Sequence, residues 1–313
     1  MTEYGVAYFG NRILQHVQSD LDEIVAAGFQ SVLHTFSEVD ERFYAEQMRA
    51  IVAASHARGL RVSAAPFAVA GIFGGEDASL FLAEHPEERQ RDRTGRVRPA
   101  ACLNSTMLRS LLRRWILAAA TAGFDEILWD EPAWAFATDD GARCVCRYCR
   151  DLPEDLSPER NLVEFVSWLV EEARSHGMRS TVCLIPDELA LTPGQPWAEM
   201  ASIPGLASLS SDPYWKTAYL PAEKFVTDVT ERVRTAIGAL PVHCECWVQG
   251  FGLGEEDLPD LEIAFQAARN AGARRIWVWA FAAAGHMSEL GTTSADTVWE
   301  AIKRQTAQNV GET

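Results

Sequence analysis

The sequence contains no apolar run long enough to cross a bilayer. Its longest, Ile276 to Gly285, falls far short of the ~20 residues a spanning helix needs, so no membrane partner is expected. Basic residues are scarce: 28 Lys and Arg face 44 Asp and Glu, a net charge of -16. That balance repels phosphate backbones and argues against nucleic acid as a partner. The opening residues, MTEYGVAYFG, enter a strand pattern at once and leave no room for a secretory leader, which makes the cytoplasm the expected address. No Gly-rich phosphate turn follows the first strand, where Phe9-Gly10-Asn11-Arg12 stands, so an open dinucleotide-binding sheet is the weaker reading. No His-x-His pair or His-rich cluster offers the open site of a metal-dependent lyase or isomerase, and no organic cofactor is expected. No linker splits the 313 residues, which read as one domain, 1–313.

Against these absences stands a regular alternation of strand and helix signals. Strand patterns run from Tyr4 to Phe9, Ser31 to Phe36, Leu60 to Ala65 and Phe124 to Trp129, then from Arg179 to Ile185, Leu206 to Ser211, Val242 to Trp247 and Arg274 to Phe281. Segments such as EILW and RIWVWAF are apolar on both faces, as buried parallel strands must be. Helix patterns fill the gaps, and six of them stop at a glycine (28, 59, 123, 177, 238 and 272) just before the next strand, the position a left-handed C-cap requires. Asp20 and Glu23 are spaced as a capping box, a second helix starts near Asp40, and Ser157-Pro158 reads as an N-cap and first-turn pair. Eight such units predict a closed (β/α)8 TIM barrel with long loops after strands 3 and 4. The loop from Pro66 to Asn104 includes the charge run EHPEERQRDRTGRVR, read as a solvated turn or short helix.

Chemistry in such a barrel sits at the C-terminal ends of the strands. Strand 2 brings His34 there, strand 4 brings Asp130 and Glu131, and the aromatic loop that follows brings Trp134. Strand 6 brings Asp212, Tyr214 and Trp215, strand 7 His243, Glu245 and Trp247, and strand 8 Trp279. Carboxyl groups supply proton transfer and a nucleophile for acetal cleavage, and flat aromatic rings suit the C–H faces of a sugar. A small carbohydrate is therefore the expected partner, while any oligomer is not readable. Period-2 alternation places His243, Glu245 and Trp247 on one face, with Cys244 and Cys246 on the other.

The strongest local signal is Cys144-x-Cys146-x-x-Cys149. Three thiolates at that spacing, joined by Cys102 from the loop before strand 4, make a candidate four-thiolate structural zinc site. Arg98, Arg143, Arg147 and Arg150 stand near in sequence to offset its charge.

Together these residues resemble glycoside hydrolase family 42, the β-galactosidases of the clan A barrels. That family carries a C-P-N-S segment, an Asn-Glu pair ending strand 4, and then C-x-C-x-x-C. Here the order is Cys102-Leu103-Asn104-Ser105, Asp130-Glu131, then Cys144, Cys146 and Cys149. The resemblance implies a zinc on the cysteines, Glu131 as acid/base and Glu245 as the strand 7 nucleophile of a retaining glycosidase. Two departures stand out: Asp130 replaces the Asn, and the Pro after the first Cys is absent. FDEILWDEP also looks like barrels in which a strand 4 Asp is the nucleophile and a strand 6 Asp the acid/base, which would pair Asp130 with Asp212. A carbohydrate-binding barrel without catalysis is the remaining alternative.

Overall fold

The computed structural model describes residues 2–136, 143–153, 155–191 and 194–307. Ten strands occur among them: β1 (Glu3–Tyr8), β2 (Ser31–Thr35), β3 (Arg61–Ala65), β4 (Arg89–Arg91), β5 (Val97–Ala101), β6 (Glu126–Asp130), β7 (Arg179–Leu184), β8 (Ser208–Ser211), β9 (His243–Gln249) and β10 (Arg275–Trp279). Eight of them close into a barrel in the order β1-β10-β9-β8-β7-β6-β3-β2, while β4 and β5 form a separate hairpin. Every barrel pairing is parallel, so all eight C-terminal ends open on one face. The expected (β/α)8 barrel is the fold observed.

The helix that delivers β6 shows why the sequence folds this way. Thr106–Ala122 buries Leu108, Leu111, Leu112, Trp115, Ile116, Ala119 and Ala122, one stripe at helical spacing. Ser105 Oγ accepts from Leu108 N at its start, and Gly123 (φ 95°) turns the chain at its end. The Trp115 indole donates to Phe36 O at 2.7 Å, pinning this helix to the loop after β2. All six glycines expected at helix ends have positive φ.

Three expectations are corrected. The first helix begins at Leu14, capped by Ile13 without a side-chain bond. Asp20 therefore lies inside it and accepts from the Tyr8 hydroxyl at 2.5 Å. The helix expected from Asp40 is two, Glu38–Phe43 and Ala45–His56, broken at Tyr44; Ser37 and Asp40 form the capping box. The charge run does hold a short 3-10 turn, Pro86–Glu88, and is largely exposed, but it also builds the β4–β5 hairpin, which the sequence did not announce. Glu88, fully buried, accepts there from Ser105, Arg147 and Tyr148.

Alternation along the strands stacks the barrel interior in layers. The lowest holds Ser63, Glu126, Ser208, Glu245 and Arg275, all buried. Above it lies an apolar layer of Ala7, Leu33, Ala65, Leu128, Cys183, Trp247 and Trp277. The two indoles stack at 5.1 Å and plug the barrel. Gly5 makes room for this, because a Cβ there would sit 2.3 Å from the Trp277 ring. The next residues in phase, among them Phe9, Asp130, Asp212, Gln249 and Trp279, form the floor of the mouth.

Candidate active site

Three carboxyl groups gather at that mouth. Asp130 is the last residue of β6 and continues its inward face. Glu131, the next residue, would point outward if the strand ran on. Instead its backbone turns into the left-handed region, φ 45°, a conformation that costs a residue with a Cβ and persists only where the surroundings enforce it. Glu131 N donates to Cys183 O at 3.0 Å, which locks the turn, and both side chains come to the same side. A Cβ on Gly74 would lie 2.6 Å from Asp130 Oδ2 and 3.7 Å from Glu131 Oε2, so glycine is what lets the loop after β3 close over the pair. Asp212, just past β8, is hydrogen-bonded to Glu131 and lies 3.9 Å from the Cys183 thiol beneath it.

Burial, and then mutual repulsion, set the protonation of this cluster. Asp130 and Glu131 keep a little solvent contact at the mouth, but protein surrounds them on every other side. No Lys or Arg pairs with any of the three among the described residues. Burial, reinforced by Glu131 and Glu76, pushes Asp130 up to about 8. Asp212 is held well above the ordinary carboxyl range by burial and by the charges of Glu131 and Asp130. Burial raises Glu131 too, while the hydrogen bond from Asp212 works the other way. Burial and crowding without a cation favour the protonated forms in this cluster. That is the condition for a general acid.

Around the acids the mouth is aromatic. Trp279 stacks on Phe9 at 5.1 Å and on Phe67 at 6.1 Å, and Tyr214 stands edge-on to Phe251 at 5.0 Å. Trp134 donates its indole N–H to Pro158 O at 2.9 Å and faces a cavity of about 250 Å³ whose wall includes Glu131. Phe9 and Phe67 are absent from the sequence reading, yet the phase that carries Gly5 and Ala7, or Ser63 and Ala65, continues to them.

Other expected residues lie elsewhere. Glu245 is the main correction. The seventh barrel strand runs to Gln249, two residues beyond its expected end, so Glu245 falls in the lowest layer, under the Trp247–Trp277 plug. There it accepts from the Trp277 indole at 2.8 Å and faces Arg275 at 3.8 Å, which in turn holds Glu126 at 2.5 Å. The mouth position on this strand is Gln249, whose amide is occupied by Lys216 N and Phe251 O. His243 starts the same strand, at the opposite face of the barrel, beside Arg274 and Arg179. His34 points outward to Ser55 at 3.0 Å, and burial lowers its pKa to about 3. Trp215 packs into the outer core, and Trp247 lies in the plug.

The four cysteines converge. The sulfur atoms of Cys102, Cys144, Cys146 and Cys149 all lie within 4.8 Å of one another. A tetrahedral zinc at ~2.3 Å from each thiolate needs its sulfurs roughly 3.8 Å apart, so the donor set fits that ion. The Arg91 amide and Asn104 Nδ2 donate to Cys144 and Cys149. Arg98 and Arg147 do not serve the sulfurs; they pair with Asp92 and Glu88. Gln90, in the same hairpin, accepts from Ala135 N at 2.9 Å and so ties the cluster to the loop that follows Glu131.

No protein-family model and no curated protein matches the sequence. Solved structures match its shape. The endo-1,4-beta-mannanase from Rhizomucor miehei superposes with a TM-score of 0.66 at 7% identity, covering 98% of this chain and 95% of that one. GH5_18 from Streptomyces cattleya in complex with GlcNAc gives 0.62 at 14%, covering 100% and 81%. D-psicose 3-epimerase from Clostridium cellulolyticum H10, with D-tagatose, gives 0.52 at 10%, covering 99% and 97%. Barrels of different chemistry share this shape, and the family 42 resemblance rests on the stretch from Arg98 to Cys149 alone. At these identities the likeness establishes the architecture: the chain is a (β/α)8 barrel.

Proposed function

We propose that this protein hydrolyses glycosidic bonds, with Glu131 protonating the leaving oxygen and Asp130 as the second carboxyl group. The observation that carries the reading is the Asp130–Glu131–Asp212 cluster at an aromatic barrel mouth, where no Lys or Arg among the described residues pairs with it. Asp212 interacts with Glu131, and Asp130 is the carboxyl group assigned to the sugar. Retention of configuration is the expected outcome, with Asp130 as nucleophile in place of Glu245 once Asp130 has released to solvent the proton that it holds to about pH 8. The solved structures with carbohydrate ligands are consistent with a small sugar substrate. A structural zinc on Cys102, Cys144, Cys146 and Cys149 belongs to the same proposal: when bound, it would hold the β4–β5 hairpin against the loop after Glu131.

The test is a screen of α- and β-linked 4-nitrophenyl glycosides, followed by NMR of the first-formed anomer. With Asp130→Gly, added azide should restore product as a glycosyl azide of inverted configuration. Rescue in Asp212→Gly but not in Asp130→Gly would move the nucleophile to Asp212.

A further inference from the structure

Glu131 stands between two different spaces. On one side are the axial groups, Asp130 and Asp212, over the tryptophan plug. On the other is the cavity of about 250 Å³, displaced from the barrel axis and framed by the loops after β3, β6 and β7 and by helix Pro158–Ser175. Of the three mouth carboxyls, only Glu131 is on its wall. A proton donor in acetal hydrolysis sits at the oxygen joining sugar to leaving group. If Asp130 works on the sugar over the axis, the leaving group projects past Glu131 into this recess.

The wall of the recess describes that group. Ile72, Phe73, Trp134, Phe136, Leu162 and Ile185 are large apolar side chains of its described lining, and five of them are more than nine-tenths buried. The polar edge of Trp134 is turned away, bonded to Pro158 O. The polar side chains at the rim, Glu159 and Gln195, are already engaged within the protein. A second sugar lodged here would lose water from its hydroxyls and gain few partners, a net cost. A flat apolar group loses nothing polar and fills the space. Apolar cavities of ~150 Å³ already hold benzene, so this one has room for a substituted ring.

We infer that the cavity is the leaving-group subsite and that it selects glycosides of aryl or arylalkyl alcohols over disaccharides. The inference rests on the hydrolase reading with Glu131 as acid. Methyl and benzyl glycosides test it, because their alcohols are of similar acidity and a rate ratio then reports binding. The probes are the α- and β-D-manno-, gluco- and galactopyranosides. For whichever sugar is cleaved, kcat/KM should favour benzyl over methyl by about tenfold or more. The disaccharides of that sugar should not exceed the methyl glycoside. Ala190→Phe, which fills the cavity from its wall, should bring the benzyl-to-methyl ratio close to one. A ratio near one in the wild type, or a ratio unchanged in a variant that melts normally, overturns the subsite and leaves the hydrolase reading intact. Should Ala190→Phe fail to fold, benzyl alcohol replaces it as a probe. It should bind the wild-type protein with NMR shifts confined to the cavity, and absence of binding overturns the inference. Cleavage of none of these glycosides, with benzyl alcohol still bound, would remove the hydrolase reading instead.

Discussion

At the scale of single residues, the barrel interior and its mouth hold two sets of acids in opposite surroundings. Glu126 and Glu245 share one cation, Arg275, at 2.5 Å and 3.8 Å, whereas no Lys or Arg among the described residues pairs with Asp130, Glu131 or Asp212. Removing Glu245 leaves the buried Trp277 indole N–H without its acceptor, a loss of about 1–3 kcal/mol. Glu245→Ala should therefore unfold at markedly lower denaturant concentration than the wild type. The mouth acids predict the reverse. Asp130 holds its proton to about pH 8 in the folded chain, against an ordinary value of 3.8. Below pH 3.8 both folded and unfolded states are protonated, and the group is neutral to stability. As pH rises above that, the unfolded state ionises first, and stability is lost progressively until about pH 8. Asp130→Asn should leave the melting temperature unchanged at pH 4 and raise it at pH 8, an effect worth more than about 2 kcal/mol. Equal shifts at both pH values would mean that Asp130 is not held protonated. A gain in stability from removing an acid is what a site built for activity predicts.

At the scale of elements, the β4–β5 hairpin links the thiol cluster to the loop carrying Trp134. Purified protein should contain about one zinc per chain, measured by elemental analysis. Cys144→Ser should lower both the zinc content and the melting temperature. Proteolysis under chelation should cut first between Arg89 and Arg150. A full-strength melt and unchanged digestion in the metal-free protein would show that the sulfurs need no ion. How much of this was legible in the sequence differs by element. C-x-C-x-x-C spacing announces its chemistry, and Cys102 follows from the loop that must pass nearby. The hairpin is not legible. EHPEERQRDRTGRVR looks solvated because its charges are read as free, while in the fold Glu88 and Gln90 are buried and bonded. Burial of a polar group depends on partners remote in the chain, and those are invisible locally.

At the scale of the whole molecule, the barrel was readable because each unit repeats the same physics: an apolar strand, an amphipathic helix, and a glycine where the chain turns back. The site was readable only in part. Asp130, Glu131, Asp212 and Trp279 were located because strand ends point to the mouth. Glu245 was misplaced because its strand runs two residues past the expected end, and it lies two layers below Gln249, the mouth position. The left-handed turn at Glu131 could not be read at all, since no local preference favours it there. That turn nevertheless brings an off-axis acid beside an axial one. Turnover of Glu131→Gln and Glu245→Gln, measured side by side on an alkyl glycoside that the wild type cleaves, tests this assignment most directly. Glu131→Gln should lose 10²-fold or more, while Glu245→Gln keeps most of its activity at a cost in stability. Full activity in Glu131→Gln with a dead but folded Glu245→Gln would place the chemistry at the bottom of the barrel and contradict the site at its mouth.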